Sequence, residues 1–209
     1  MQLLEALNWR YAVKRMNGFK LPEEKINRIL EAVRLSPSAY GLQPYNIYMI
    51  ESEDLKKRIR LAAFDQPQVT ECSHLLVFAA WDNVTEIHVQ DYLSFVAAER
   101  NLTIDKLEKL KHHIMKFVNS RTAKEKHEWA VRQTYLTLGT AITAAALEGV
   151  DSIPIEGFSP DEVDKILNLK DRGLKSAALF ALGYRDEEND FLAKAKKVRR
   201  PIQKLIIMT

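Results

Sequence analysis

The chain has 209 residues, of which 46% are hydrophobic and 28% charged, so it can bury a sizeable core and is not expected to be disordered. The net charge of +3 does not require a nucleic-acid partner, although it suits an anionic ligand where cations converge. A single cysteine, Cys72, excludes an intramolecular disulfide. The N-terminal segment carries Glu5 and no long apolar run, and no stretch approaches the length of a membrane span, so we expect a cytoplasmic protein without a signal peptide or membrane contact.

Predicted helices and strands alternate along the chain. A short amphipathic helix ends near Trp9, and residues 10–16, which lack a helical stripe, are predicted to be extended. Pro22 opens the next helix, and Ser36 ends it because the residue before Pro37 avoids helical angles. Further helices are predicted over 53–63, 86–100, 105–119 and 122–148, and strands over 46–51, 74–81, 151–155 and 175–184. This interleaving predicts an α+β or α/β chain, and the absence of a repeat or linker predicts one domain over residues 1–209.

Two of these elements, and a further helix that begins near Ser159, carry more specific signals. The run His74–Trp81 is apolar throughout, which is typical of a strand buried on both faces. Capping boxes at Thr122–Glu125 and Ser159–Glu162 predict helix starts. Within the first of these helices, residues 137–147 are small and apolar almost all round, which predicts burial on several sides. That pattern is typical of an ordinary core helix and also of a dimer-core helix, in which Gly139 admits a second backbone closely; both interpretations stay open.

Two short segments carry cations at alternate positions. In an extended chain Arg10 and Lys14 share one face with Ala12, and Lys197 and Arg199 repeat the arrangement near the C-terminal end. Arginine offers a planar fork to phosphate oxygens and lysine a mobile point charge, so the two segments together favour an anion site. For either segment alone, solvated surface charge is the more common outcome.

Two loops have the composition of ligand-contacting loops. Prolines bracket small and polar residues over Pro37–Pro44, where Gly41 permits close backbone approach to a ligand, although a plain helix-to-strand turn has the same composition. The segment Pro154–Phe158 lies between a strand end and a helix start, which is a favoured place for ligands. Cys72 and His74 are expected to be a buried thiol beside a hydrogen-bonded histidine rather than a nucleophile pair, and no metal is expected.

These four segments, in their order and approximate spacing, resemble the FMN-dependent nitroreductase family. Ser36-Pro37-Ser38-Ala39-x-x-x-Gln43-Pro44 is similar to the family's helix-ending loop, and Pro-Ile-Glu-Gly-Phe at 154–158 is intact. Arg10-x-Ala12-x-Lys14 and Lys197-x-Arg199-x-Pro201 are similar to its two cationic patterns. The resemblance covers nearly the whole chain and implies an α+β fold, in which helices flank a central mixed β-sheet and two copies form an intertwined homodimer.

The resemblance also implies a flavin site shared between the two subunits. Its implied cofactor-binding residues are Arg10, Tyr11, Ala12, Lys14, Pro37, Ser38, Ala39, Gly41, Gln66, Gln68, Gln133, Pro154, Ile155, Glu156, Gly157, Lys197 and Arg199. Arg10, Lys197 and Arg199 are the implied phosphate and ribityl anchors, and Lys14 is the implied cation that tunes the flavin near its N1 and O2 edge. The loop 37–41 would reach the partner's flavin.

The main chain of 154–157 would line the ring near N5 in the implied site, and Gln66 and Gln68 its pyrimidine end. Ala12 and Ala39 depart from serines of the family pattern, and Gln68 stands where some relatives have lysine. These departures bear on cofactor affinity and redox potential.

The implied activity is an NAD(P)H oxidoreductase that reduces nitroaromatics, quinones or similar small electron-poor acceptors. Two electrons would pass by a ping-pong scheme without an essential side-chain acid or base. Within the family, the alternatives are an enone reductase or a dehalogenase. From another class, the alternative is a nucleic-acid-binding module that uses the basic stretch 194–200, which the lack of a basic helix or of interleaved aromatic residues disfavours.

Overall fold

Four antiparallel strands form the sheet at the centre of the computed structural model, which describes all 209 residues. The strands are β1 (Tyr45–Ile50), β2 (His74–Trp81), β3 (Asp151–Ile155) and β4 (Leu174–Gly183), and their order in the sheet is β1-β2-β4-β3. The one parallel pairing is an isolated bridge between Ala12 and Ser152, so the mixed character expected of the sheet is limited, within one chain, to that bridge.

Helices cover both faces of this sheet. They are α1 (Leu3–Trp9), α2 (Glu23–Arg34), α3 (Glu53–Ala62), α4 (Gln68–Glu71), α5 (Glu86–Glu99), α6 (Glu108–Asn119), α7 (Ala123–Leu147), α8 (Pro160–Leu167) and α9 (Ile202–Leu205). The predicted elements agree with these bounds to within a few residues. The short helices α4 and α9 were not predicted, because four residues are too few to show a helical period. No helix has both the length and the apolar composition needed to span a membrane.

Alternate residues of β2 enter two different cores. Leu75 and Val77 pack in one cluster with residues of α3 and α8, whereas Leu76 and Phe78 pack in a second cluster with residues of α2 and α7. All four side chains are fully buried. This is the period of two expected of a strand, and it confirms the predicted burial of β2 on both faces.

The two predicted capping boxes have different outcomes. The box at α7 is confirmed: the Thr122 N–H donates to Glu125 Oε2 at 2.8 Å, and the Glu125 N–H donates to Thr122 Oγ1 at 3.3 Å. The box at α8 is wrong, although the helix does begin at Pro160. The Ser159 N–H donates instead to the Ala62 carbonyl, and Glu162 pairs with Lys165 at 2.6 Å, so neither half of that box forms.

Helix α7 is buried on one side and open on the other. Thr137, Leu138 and Ala141 face the core, whereas Leu136 is 53% exposed and Leu147 is 39% exposed. Within residues 137–147 only Gly139 and Leu147 are exposed. The prediction of burial on several sides therefore holds for most of this segment and fails along the strip that contains those two residues. The open side of α7, which includes Gly139, lines a shallow cavity of about 460 Å³.

Candidate active site

The two cationic segments meet in one cavity of about 350 Å³. The end of α1 and the extended residues that follow it form one wall, and residues 192–199 form the other. The lining residues are Asn8, Trp9, Arg10, Tyr11, Ala12, Arg185, Leu192, Ala193, Ala195, Lys196, Lys197 and Arg199. The structure thus brings together Arg10, Lys197 and Arg199, which lie at opposite ends of the sequence.

Electrostatics and burial make this cavity suitable for an anion. Arg10 Nε is buried without a hydrogen-bond partner. Burial, and then the neighbouring Arg199, lowers the pKa of Arg10, while Asp151 opposes the shift. Burial, Arg10 and Arg199 lower the pKa of Lys197, whose Nζ donates to the carbonyls of Leu7 and Arg10. Cations that repel one another in a partly desolvated site gain most from a phosphate, so the residues present fit a phosphate-bearing cofactor.

Arg185 forms a fixed side of the same cavity, and the sequence reasoning missed it. Its guanidinium lies 4.5 Å from the ring centroid of Trp9 and 4.7 Å from that of Tyr11. Its Nε and Nη2 donate to Asp151 Oδ1 at 2.8 and 2.6 Å. Arg185 follows the end of β4 without any cationic pattern around it, so only the tertiary structure reveals its place.

Lys14 does not share the cavity with Arg10 and Ala12, contrary to the expected common face. The chain bends at Lys14, where the backbone N–H donates to Asp190 Oδ2 at 2.7 Å. The Arg15 N–H donates to the same oxygen at 3.4 Å. A carboxylate that accepts from consecutive backbone amides interrupts the alternation of an extended strand, so the period of two holds only as far as Ala12.

The loop 154–157 is held from two sides. Gln66 Nε2 donates to the Gly157 carbonyl at 2.6 Å, and Gln68 Nε2 donates to Gln66 Oε1 at 3.0 Å. From α7, Tyr135 Oη donates to Glu156 Oε1 at 2.7 Å. Gln68 is 3% exposed, so it supports Gln66 from beneath rather than facing an open site.

Within that loop, Ile155 is buried in the core, so only its main chain is available to a ligand. Pro154 is partly buried, whereas Glu156 and Gly157 are exposed. The cavity that contains Arg10, Lys197 and Arg199, here called the cation cavity, is also lined by Ala12. Ala12 forms an isolated bridge with Ser152, which lies two residues before Pro154. Two extended residues span about 7 Å, so the cavity and this loop can serve one ligand.

The loop that follows α2 is strained and firmly held. Tyr40 and Gly41 have φ of 61° and 74°, and Tyr92 Oη donates to the Tyr40 carbonyl at 2.5 Å. A Cβ at Gly41 would lie 2.9 Å from Tyr92 Oη, which explains the glycine. Ser38 Oγ accepts from the Gln43 N–H at 2.9 Å, so the predicted turn forms, with Pro37 exposed at its start.

Gln133 fixes this loop to α7. Its Oε1 accepts from the Ala39 N–H at 2.8 Å, and its Nε2 donates to the Trp129 carbonyl at 3.4 Å, so the amide is used within the chain. Tyr135, which holds Glu156, is two residues further along the same helix. Two residues correspond to about 200° of rotation, so the loop at Ala39 and the loop at Glu156 lie on nearly opposite sides of α7. One chain therefore presents two separate groups of candidate residues.

Cys72 and His74 are not arranged for nucleophilic chemistry. Burial raises the pKa of Cys72 to about 11, and its thiol donates to the Val69 carbonyl at 3.3 Å. His74 Nδ1 shares a hydrogen bond with Ser73 Oγ at 2.9 Å. The expectation of a buried thiol beside a hydrogen-bonded histidine is confirmed.

Comparison with known proteins assigns the family. Residues 7–184 match the nitroreductase family model, and the chain therefore belongs to the nitroreductase family. A candidate NAD(P)H nitroreductase of Staphylococcus haemolyticus is 34% identical over 98% of this chain and 95% of its own. A solved structure of a candidate nitroreductase from Bacillus subtilis has a TM-score of 0.87 at 22% identity, covering 99% of this chain and 98% of that one.

A second solved structure holds a ligand. A candidate nitroreductase from Exiguobacterium sibiricum, crystallised in complex with FMN, has a TM-score of 0.84 at 20% identity and covers 100% of this chain and 98% of that one. At this level of identity the likeness shows the shared α+β fold.

Proposed function

We propose that this chain is an FMN-dependent NAD(P)H oxidoreductase that reduces small electron-poor acceptors. The observation that carries the proposal is the cavity in which Arg10, Lys197 and Arg199 converge, with Arg10 Nε buried and unpaired. Membership of the nitroreductase family supports it, as does the FMN held by the Exiguobacterium sibiricum structure. When bound, FMN supplies the two-electron redox chemistry between a nicotinamide and an acceptor.

The chain's own residues bind and orient the cofactor. Arg10, Lys197 and Arg199 hold the phosphate, and the Gln66 hydrogen bond fixes the loop 154–157 as a rigid main-chain surface beside the ring. Lys14 supplies positive charge near the pyrimidine edge, which favours the electron-rich state of the cofactor. The hydrogen bonds from Arg185 to Asp151 keep that side of the cavity fixed while a ligand enters.

No side chain is needed as an essential acid or base. Glu156 is the only carboxylate in the loop 154–157, and it already accepts a hydrogen bond from Tyr135. Two-electron transfer between stacked rings depends on proximity and orientation, which the rigid loops provide. One open face admits the nicotinamide first and the acceptor second, so the kinetics are ping-pong. The acceptor is flat and electron-poor because it has to stack in the same place, and nitroaromatics and quinones meet this requirement.

The active unit in this proposal is an intertwined homodimer. The loop at Ala39 and the loop at Glu156 lie on nearly opposite sides of α7, so a second copy is required to place both against one flavin. The open side of α7 offers a partly apolar surface, and a Cβ at Gly139 would meet no atom of its own chain within 4 Å. The C-terminal residues Ile202, Ile206, Ile207 and Met208 are 58–96% exposed, which is unfavourable unless a partner covers them.

Absorption spectroscopy and ligand release test the cofactor directly. The purified protein should be yellow and should release FMN, one per chain, on denaturation. The apoprotein should then bind FMN much more tightly than riboflavin, because only FMN carries the phosphate that the cation cavity accepts. Recovery of FAD, or equal affinity for riboflavin and FMN, would contradict the assigned site.

Substitution on the open side of α7 tests the dimer. Gly139→Leu has room within its own chain, so it should fold but weaken self-association in analytical ultracentrifugation. The matched control is Leu61→Ala, which changes a leucine that is 76% exposed on α3. A wild-type chain that is monomeric and holds FMN would overturn the shared site.

Initial-rate kinetics test the order of binding. Double-reciprocal plots at several fixed acceptor concentrations should give parallel lines, whereas intersecting lines would indicate a ternary complex. Glu156→Gln should keep FMN bound and retain its reduction by NAD(P)H. Loss of that reduction alone would show that Glu156 is an essential acid or base.

A further inference from the structure

Asp190 connects the two ends of the chain at the cation cavity. It is 4% exposed, and its Oδ2 accepts from the Lys14 N–H at 2.7 Å, from the Arg15 N–H at 3.4 Å and from Tyr11 Oη at 3.2 Å. Its Oδ1 accepts from the Leu192 N–H at 2.9 Å. This buried carboxylate is thus satisfied by neutral donors from both segments and forms no ion pair.

The backbone N–H groups that bind to Asp190 come from both walls of the cation cavity, so these hydrogen bonds determine the shape of the site. Lys14 and Arg15 lie just beyond the extended residues that form one wall of the cavity, and Leu192 begins the segment that forms the other. Asp190 therefore fixes the separation of the two walls. It also causes the bend at which Lys14 leaves the face occupied by Arg10, so it sets the direction in which the Lys14 side chain extends.

We propose that Asp190 is a positioning residue for the cofactor site, which acts through the backbone of Lys14 and through the wall that begins at Leu192. The inference rests on the proposed function, because it assigns to Asp190 an effect on FMN. Geometry carries this effect, and the charge of the carboxylate does not. A buried negative charge near the pyrimidine edge would by itself oppose the electron-rich state of the cofactor, whereas correct placement of Lys14 favours it.

Two substitutions separate geometry from charge. Asp190→Asn removes the charge and keeps one oxygen that can accept from the Lys14 and Arg15 N–H groups, but its NH2 group cannot accept from the Leu192 N–H. Asp190→Glu keeps the charge but moves the carboxylate by one methylene. If geometry matters, Asp190→Glu should show the larger effect, with weaker FMN binding and a lower potential. If charge matters, Asp190→Asn should show the larger effect, with a higher potential.

A second tail carboxylate provides the matched control. Asp186 accepts only from the Glu188 and Asn189 N–H groups, at 3.2 Å, and from Asn189 Nδ2 at 2.7 Å. Its side chain therefore holds only its own turn. Asp186→Asn and Asp186→Glu should leave both the affinity and the reduction potential of FMN unchanged.

The experiment measures the dissociation constant of FMN by fluorescence and the midpoint potential of bound FMN by spectroelectrochemistry, in wild type and the four variants. Asp190→Glu should raise the dissociation constant about tenfold or more and lower the potential. Asp190→Asn should change both quantities less than Asp190→Glu does, since it keeps the contacts of Oδ2 and loses only the one from the Leu192 N–H. If Asp190→Glu fails to fold, Asp190→Ala replaces it with the same expected direction.

Equal effects of the two Asp190 substitutions, or effects no larger than those at Asp186, would overturn the role of Asp190. A higher potential in Asp190→Asn with no change in Asp190→Glu would show that charge acts instead, and would also overturn it. A wild-type protein that binds no FMN would overturn the proposed function itself, and the assignment of Asp190 with it. The first two results leave wild-type FMN binding intact, so the failures can be told apart.

Discussion

Replacing Arg10 by methionine should stabilise the apoprotein while weakening FMN binding. Arg10 Nε is buried without a partner, and an unsatisfied buried polar group costs roughly 1–3 kcal/mol. Methionine retains much of the side-chain length without the charge, and it removes the repulsion between Arg10 and Arg199. The Arg10 carbonyl still accepts from Lys197 Nζ, so that contact survives. We expect the melting temperature of the apoprotein to rise by about 2–4 °C for each kcal/mol gained.

The affinity for FMN should change in the opposite direction. A hydrogen bond to a charged group contributes roughly 1.5–3 kcal/mol, so the dissociation constant of FMN should rise about ten- to hundredfold. Both quantities can be measured on one preparation, by thermal melts of apoprotein and by fluorescence titration with FMN.

Arg15→Met is the control for this prediction. Arg15 lies outside the cavity and pairs with Glu71, with its Nε 2.9 Å and its Nη2 2.8 Å from Oε1. Its side chain is 41% exposed, so the loss of this pair should have little effect on the stability of the apoprotein and should leave FMN affinity unchanged. Loss of apoprotein stability in Arg10→Met, together with unchanged FMN affinity, would refute the reasoning.

Three further changes test the surroundings of the site. Tyr135→Phe removes the hydrogen-bond donor to Glu156, so FMN should stay bound while its reduction by NAD(P)H, measured by stopped flow, slows about fivefold. An unchanged rate would show that the loop 154–157 needs no support from α7. Burial raises the pKa of Cys72 in the folded protein to about 11, so the stability that this thiol contributes should be complete below pH 8 and be lost as pH rises towards 11. Native protein should therefore resist iodoacetamide at pH 8 until urea unfolds it. Rapid labelling of the native protein would contradict the burial of Cys72. Gly41→Ala should lower the free energy of unfolding in urea by roughly 1–2 kcal/mol, because φ is 74° and Tyr92 blocks the Cβ; no loss would mean that the loop can relax.

Local patterns predicted those parts of the fold whose signal lies in neighbouring residues. The continuous apolar run of β2 gave its bounds and its burial on both faces, and the Thr122 box gave the start of α7. The Ser159 box was wrong because the Ser159 N–H is bonded to the Ala62 carbonyl and Glu162 pairs with Lys165. A capping pattern states which bonds are possible, and competition with neighbouring side chains decides which of them form.

The site was predictable only where one segment carried its own signal. Arg10, Lys197 and Arg199 were found from their alternation and family resemblance, and the structure places them in one cavity. Arg185 and Asp190 had no such signal, because their roles come from contacts between distant parts of the chain. The open side of α7 could not be predicted either, since composition gives the apolar character of a helix but not how much of it the fold covers.

Three features make the isolated chain less stable than its fold would allow: the unpaired Arg10 Nε, the open side of α7 and the exposed apolar residues of the C-terminal tail. Natural chains tolerate such departures mainly where a ligand or partner corrects them. The first requires an anion, and the other two require an apolar surface. A flavin phosphate meets the first requirement and a second copy of this chain meets the other two. The proposed cofactor and the proposed dimer are thus inferred from different features, so either can fail without the other.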